Sequence, residues 1–297
     1  IGGGDWSDGL NRVGRRGRGE SVWLAWFAAV TARLVADLDQ RLGDGTAAAD
    51  WRKTADELVL RAEESGWDGA WYRRAYDDDG LPLGAASNEE ARIDSIAQSW
   101  AAFAGAKPER VEQALDSAVR ELLLPEEALA RLLWPPFHRG PGDPGYIKAY
   151  PPGVRENGGQ YSHAAAWLGI ALARKGDGAG AKRLFDMLSP ILHSRDSAAA
   201  EHYRLEPYVV AGDISSAEAY CGRGGWSWYT GAAAWAWRLA VEEILGLRRI
   251  EGRLLIDPCL PSGWGGYEAM LRSPRGAIRL RVCDPGGLGR GRVELEV

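Results

Sequence analysis

Apolar residues recur at helical spacing through most of the chain. Between Ser21 and Leu42 the positions Trp23, Trp26, Phe27, Val30, Leu34, Leu38 and Leu42 follow one another every three or four residues. That spacing predicts an amphipathic helix with Ser21 as N-cap and Gly43 as stop. A second helix is predicted over 50–65, with Trp51, Ala55, Leu58, Val59 and Ala62 on one face and Gly66 at its end. A third opens at Asn88, places Glu89 and Glu90 where the helix dipole favours carboxylates, and stops at Gly105. Pro108 suits the first turn of a fourth helix that runs to Leu122, and a short helix follows from Pro125 to Leu133. Helices resume over 161–174 and over 179–188, the latter stopped by Pro190. A last one runs from Tyr229 to Leu245 after the glycine-rich turn 221–225.

Two stretches between the helices read differently. Residues 71–80 predict a short strand running into the turn Asp77-Asp78-Asp79-Gly80. The alternating ligand spacing of a calcium loop is missing there, so the triplet reads as a solvated hairpin turn. Residues 135–159 are rich in Gly and Pro and form a long loop, the kind of connection that tends to be functional in a compact domain. From Arg253 onward the pattern shifts to short strands over 254–256, 267–271, 277–282 and 293–297. The expected architecture is therefore mainly α: helical hairpins over residues 1–248, then a β unit over 249–297. The final strand reaches the last residue, so the β unit reads as cut short.

Composition narrows the class. With 297 residues, 45% hydrophobic, 26% charged and a net charge of −5, the chain reads as soluble and globular. No dense basic patch points to nucleic acid, and no apolar run approaches the ~20 residues of a membrane span. No secretory leader is read. Cys221, Cys259 and Cys283 have neither zinc nor disulfide-framework spacing, so a reducing cytoplasm is the expected setting and no metal is called for. The 14 Trp against 4 Phe change the picture more: a Trp face matches the C–H face of a pyranose, although most of the fourteen are expected to fill helix contacts.

The densest candidate chemistry lies in Gly2-Gly3-Gly4-Asp5-Trp6-Ser7-Asp8-Gly9-Leu10-Asn11-Arg12. Two carboxylates flank a tryptophan on a loop, an arrangement suited to general-acid work on a stacked sugar. An Asx-rich turn accounts for the same residues. Three further clusters fall at helix starts: 154–163, 206–210 and 224–231. A hydroxyl, an imidazole and free N–H groups at a helix start make a cradle for phosphate.

Gly4-Asp5-Trp6-Ser7-Asp8-Gly9-Leu10-Asn11, followed by Gly19-Glu20-Ser21-Val22-Trp23-Leu24, resembles the signature of glycoside hydrolase family 94, the inverting β-glucoside phosphorylases. Arg155-Glu156-Asn157-Gly158-Gly159 with His163, Trp228-Tyr229-Thr230-Gly231 and Ile256-Asp257-Pro258-Cys259-Leu260-Pro261 match in the family's order. The variant resembles most the phosphorylase-like region of cyclic β-1,2-glucan synthases and β-1,2-oligoglucan phosphorylases. Cellobiose-type members carry Asn where this chain has Ser7, and Gln after the Pro-Tyr-Val segment where it has Ala211-Gly212. The loss of the Gln fits the β-1,2-glucan branch better than a cellobiose-type member.

The resemblance implies a partial (α/α)6 barrel followed by a truncated C-terminal β-sandwich. It implies Asp8 as general acid, Trp6 and Arg155 as donor-sugar contacts and Glu156 as an acceptor-side contact. It places His163, Thr230 and Gly231 in a phosphate site. The implied function is phosphorolysis of β-glucan oligosaccharides to glucose 1-phosphate, with inorganic phosphate as co-substrate and no further cofactor. A homodimer, or a place within a larger polypeptide, is the expected assembly. A barrel lacking helices would expose apolar faces and self-associate. Two alternatives stand beside this reading. An inverting hydrolase would need a second carboxylate roughly 6.5–9.5 Å from Asp8, from Glu156 or Glu206. A non-catalytic sugar-binding fragment would need none.

Overall fold

The computed structural model describes residues 1, 4–228, 231–273 and 276–289. Helices dominate, with small sheets between them. Helices α1 (Val22–Leu42) and α2 (Gly45–Gly66) form a hairpin; Ser21 Oγ caps α1 by accepting the Leu24 amide at 3.1 Å, and Gly43 ends it at a left-handed φ of 88°. The second helix starts ahead of the predicted Asp50 because the Asp44 side chain accepts the Ala47 amide at 2.9 Å. Helices α3 (Ser95–Ala104) and α4 (Pro108–Leu122) follow, then α5 (Ser162–Lys175) and α6 (Gly178–Leu188). Short helices α7 (Pro190–His193) and α8 (Ser197–Tyr203) come next; neither was predicted, and Asp196 caps the second. Helix α9 (Ala232–Trp237) continues as a π-type turn over Arg238–Ile244; the predicted start at Tyr229 lies outside the described residues.

Helix α5 sits at the centre, buried from Ser162 to Ala173 except at His163 and exposed at Arg174 and Lys175, and packs on α3, α6 and the π-type turn. Its Gly169 permits that contact, because a Cβ there would meet Leu239 at 2.7 Å. The core is tryptophan-rich, as expected: Trp6, Trp167, Trp100 and Trp23 form a relay of ring contacts at 5.5, 5.3 and 5.9 Å.

Two-residue strands decide where the helices begin. Strands β1 (Glu20–Ser21), β2 (Ala75–Tyr76) and β3 (Pro82–Leu83) form an antiparallel sheet, with Ser21 opposite Ala75 and Ala75 opposite Leu83. Strand β4 (Ile93–Asp94) pairs with β7 (Leu133–Trp134), β5 (Leu123–Leu124) with β6 (Leu129–Ala130), and β8 (Gln160–Tyr161) with β9 (Asp213–Ile214). Strands β1, β4 and β8 run directly into α1, α3 and α5, so the pairings anchor three core helix starts. The C-terminal part holds two antiparallel hairpins, β10 (Leu247–Ile250) with β11 (Arg253–Ile256) and β12 (Gly266–Ser273) with β13 (Gly276–Cys283). The strand expected over 293–297 lies outside the described residues.

Three expectations are corrected. No helix opens at Asn88. Asn88 folds a turn with Ala85, and Glu90 Oε1 accepts the amides of His138, Arg139 and Gly140 at 2.7–2.8 Å. Residues 125–133 are a hairpin, because their amides find distant partners: Ala130 N donates to Gln160 Oε1 at 2.7 Å and Leu132 N to the Gly159 carbonyl at 2.8 Å. The acidic turn is a hairpin as expected but not simply solvated, since Asp78 accepts the amides of Arg16, Arg18 and Gly19.

The predicted apolar face of α1 divides in two. Trp23, Trp26, Ala29 and Ala36 are buried, whereas Leu34, Leu38 and Leu42 are 66%, 55% and 75% exposed. Replacing Leu34 and Leu38 by Glu is therefore expected to change unfolding free energy by less than ~0.5 kcal/mol each. It should also reduce any self-association, since exposed apolar patches promote it. Urea titration and sedimentation velocity check this; a loss of several kcal/mol would return both leucines to a core.

Candidate active site

The first loop is pinned from beneath. Arg74, fully buried immediately before β2, donates through both terminal nitrogens to Asp5, and its Nε lies 3.3 Å from Asp94 Oδ2. Ser21 Oγ donates to Asp5 Oδ2 at 2.5 Å and itself lies 3.0 Å from Arg74 Nη1. Asp94 accepts the Ile96 amide as the N-cap of α3. One guanidinium thus ties the loop to the starts of α1 and α3. The two carboxylates are not equivalent. Burial opposes the charge on Asp5, but Arg74, the Ser21 hydroxyl and the Ser7 amide outweigh it and hold Asp5 below the usual range. Asp94 has the longer contact, and burial pushes it up to about 6.

With Asp5 consumed, Asp8 differs sharply from it: Asp8 opens a single 3-10 turn (Asp8–Leu10) and is exposed. The turn packs on Ile147, and a Cβ on Gly9 would meet Ile147 Cβ at 2.8 Å. Asn11 Oδ1 accepts the Tyr146 amide at 3.1 Å, which draws residues 146–149 against the loop. Burial raises the Tyr146 phenol, and the charges of Asp8, Tyr150 and Glu156 add to the effect.

Trp6 packs edge-on to Tyr161 at 4.9 Å and to Trp167 at 5.5 Å, with His163 at 6.2 Å. His163 lies in the first turn of α5, where burial lowers its imidazole below the usual range and favours the neutral form. A Cβ built on Gly231 would stand 3.9 Å from His163 Nε2, so these two expected phosphate residues do come together. Thr230 lies outside the described residues.

Arg155 and Glu156 sit on the loop that precedes β8. The buried Asn157 holds that loop: its Oδ1 accepts the Phe137 amide, and its Nδ2 donates to the carbonyls of Phe137 and Tyr150. Arg155 takes a left-handed φ of 50°, uncommon for a non-glycine residue. Its guanidinium lies between the rings of Tyr150 at 5.1 Å and Trp226 at 5.3 Å, and its Nε is 3.3 Å from Glu156 Oε2. Asp213, opposite Tyr161 across the β8–β9 pair, adds a buried carboxyl that accepts the Trp226 amide at 3.2 Å. Burial raises it, against the pull of that amide and of Arg155.

Sequence reasoning did not single out Arg74, Tyr146, Asn157 as an anchor, or Asp213. Arg74 is buried only through contacts made in the fold, and nothing in the local sequence says that it is buried or which carboxylate it meets. Among the described residues no group of three or more His, Cys, Asp or Glu is placed to hold a metal. A cleft of about 860 Å³ opens beside Arg12, Arg16 and Asp79, but Arg12 pairs with Asp143 and Arg16 with Asp79 there, and neither Trp6 nor Asp8 lines it.

Residues 1–246 match the glycosyl hydrolase 94 superfamily, catalytic domain. The chain is 52% identical over 271 residues to the cyclic beta-(1,2)-glucan synthase NdvB of Rhizobium meliloti (strain 1021), covering 91% of this chain and 10% of that protein. It is 31% identical over 299 residues to the 3-O-beta-D-glucopyranosyl-beta-D-glucuronide phosphorylase of Paenibacillus borealis, covering 100% of this chain and 38% of that protein. Against the N,N'-diacetylchitobiose phosphorylase of Vibrio furnissii the identity is 30% over 293 residues, 97% of this chain and 35% of that protein. The chain therefore spans a tenth of the synthase and little more than a third of each phosphorylase.

Proposed function

The chain belongs to the glycosyl hydrolase 94 superfamily, and from that premise we propose that it carries catalytic residues for inverting phosphorolysis of β-1,2-linked glucan, releasing glucose 1-phosphate. In this reading residues 1–248 are part of an (α/α)6 barrel and 249–297 the start of a β-sandwich, within a larger polypeptide or a homodimer in the cytoplasm. Asp8 protonates the leaving oxygen. Trp6 and Arg155 contact the donor sugar, Glu156 the acceptor side, and His163, Thr230 and Gly231 the phosphate. Inorganic phosphate is the co-substrate, and no other cofactor enters the scheme.

The carrying observation is the division of labour around Trp6. Asp5 is locked by Arg74, Asp8 is exposed, and a half-buried imidazole at a helix start lies 6.2 Å from the Trp6 ring, beside Gly231. A phosphorylase needs one acid and an anion cradle, because phosphate is already a charged nucleophile. A hydrolase needs a second carboxylate as base. Glu156 is paired with Arg155 and Glu206 accepts the Trp228 indole N–H at 2.9 Å, which weighs against either as that base. The test is glucose 1-phosphate release from linear β-1,2-glucan with and without phosphate. Release of free glucose without phosphate would favour the hydrolase, and binding with neither product the sugar-binding fragment.

His163 supplies a second test. Neutral at pH 7, it would donate one N–H to a phosphate oxygen, alongside the N–H groups that a helix start offers an anion. His163→Ala is expected to raise the Michaelis constant for phosphate about tenfold, the loss of one hydrogen bond to a charged group, while glucan affinity stays unchanged. Steady-state kinetics at varied phosphate decide this. An unchanged phosphate dependence would remove His163 from the cradle.

A further inference from the structure

Strand β9 stands between the two sides of the candidate phosphate cradle. On one side it pairs with β8, Tyr161 opposite Asp213, and the Ser162 amide donates to the Gly212 carbonyl at 3.0 Å. Strand β8 runs straight into α5, whose first turn carries His163. On the other side Ile214 bridges Gly224, and the Gly212 amide donates to the Trp226 carbonyl at 2.8 Å. The Ser215 amide adds a bond to the Arg223 carbonyl at 2.9 Å, so residues 223–226 lie along β9 as β8 does. From there the chain continues to Gly231, where a Cβ would stand 3.9 Å from His163 Nε2. Both walls of the cradle therefore hang from one short strand.

The side chain in the middle of this arrangement is a carboxyl. Asp213 is 3% exposed, and its Oδ1 accepts the Trp226 amide at 3.2 Å. Burying a carboxyl is costly unless donors meet it, so packing alone would be served better by an apolar residue. Its fit to the facing segment is close. A Cβ on Gly225 would stand 2.5 Å from Asp213 Oδ1, so the carboxyl occupies the space that any side chain at 225 would need. The Gly225 amide donates to the Asp213 carbonyl at 2.9 Å and holds the same peptide through the backbone. The charges that act on Asp213 come from the loop before β8: Arg155 favours its ionised form and Glu156 opposes it. In that form the bond to the Trp226 amide is charge-assisted and stronger than a neutral acceptor makes. Resting on the phosphorylase reading, we propose that Asp213 is a positioning residue for phosphate. By holding the Trp226 amide it sets where the segment leading to Gly231 meets His163, and it touches neither phosphate nor sugar itself.

The experiment is calorimetric titration of the chain and its variants with inorganic phosphate and, separately, with a linear β-1,2-gluco-oligosaccharide, run beside the glucose 1-phosphate assay. Asp213→Ala is expected to weaken phosphate binding about three- to tenfold and to leave glucan affinity unchanged. Asp213→Asn, which keeps an acceptor for the Trp226 amide, should restore most of the loss. Gly225→Ala leaves Asp213 in place but crowds its carboxyl off the peptide, so it should reproduce the Asp213→Ala deficit. Asp213→Ala combined with His163→Ala should lose less than the product of the two single losses, because both act on one site. Far-ultraviolet circular dichroism verifies the fold of each variant, and should Asp213→Ala not fold, Gly225→Ala decides. Equal loss of phosphate and glucan binding, or no loss at all, overturns the assignment while leaving phosphorolysis standing; so does a double-variant loss equal to the product. Selective loss of phosphate binding without phosphate-dependent release upholds Asp213's part in an anion site and overturns the phosphorylase reading. Failure of the unmodified chain to bind phosphate overturns the assignment.

Discussion

Phosphorolysis of an unactivated β-1,2-glucan by the Asp8→Asn variant is expected to fall by ~10²–10⁴-fold, the range for loss of a general acid. Asp8 and Asp5 flank the same tryptophan, yet Asp5 is buried and bound by Arg74, Ser21 and the Ser7 amide. A carboxylate so engaged is held in its ionised form and has no proton to give. Asp8 is exposed on the 3-10 turn that packs on Ile147, two residues from Trp6. The deficit should sit in kcat, with glucan affinity little changed, since the acid acts in the transition state. A substrate whose leaving group needs no proton, such as a nitrophenyl glucoside, should recover most of the rate. Equal losses on both substrates would deprive Asp8 of the acid's role, and unchanged turnover would do so outright.

Arg74→Met should be the most destabilising single change in the neighbourhood of the site, costing about 3–5 kcal/mol. Methionine fills much of the volume but leaves Asp5 and Asp94 buried without their cation. The pH dependence carries the diagnosis. In the native protein Asp5 is depressed, so its contribution is present above the ordinary carboxylate range and is lost as pH falls through its lowered value. Asp94 is raised to about 6 even with Arg74 present. Without the cation both carboxyls move up and are relieved by protonation. The deficit of the variant should therefore be largest above pH about 6 and shrink on acidification. Denaturant titrations across this range measure it. A deficit that is independent of pH would assign the loss to packing alone. Arg74→Met combined with Asp5→Asn and Asp94→Asn should regain part of the stability, because no uncompensated charge is left buried.

Both expectations turn on how far local sequence reaches. The helix ends at Ser21, Gly43 and Gly105 were legible because a cap is a local device, a side chain or a left-handed residue meeting amides or carbonyls within one turn. The ordered motifs likewise placed Trp6, Asp8, Arg155, Glu156, His163 and Gly231 at loop and helix starts, and the structure brings Trp6, His163 and Gly231 together. Those features were contained in the sequence by itself. Others were decided by segments that arrive from far along the chain. Glu90 would suit a first helical turn, but three amides of residues 138–140 claim it; residues 125–133 could be helical, but Gln160 and Gly159 take their backbone groups. Leu34 and Leu38 share a helical period with Trp23 and Trp26, and periodicity records only that a face is apolar, not what covers it. Most of all, Asp5 and Asp8 are the same residue type on the same loop. Which one is locked and which one faces solvent follows from an arginine 69 residues away, because an ion pair depends on distance in space and burial, and neither is written in the local pattern.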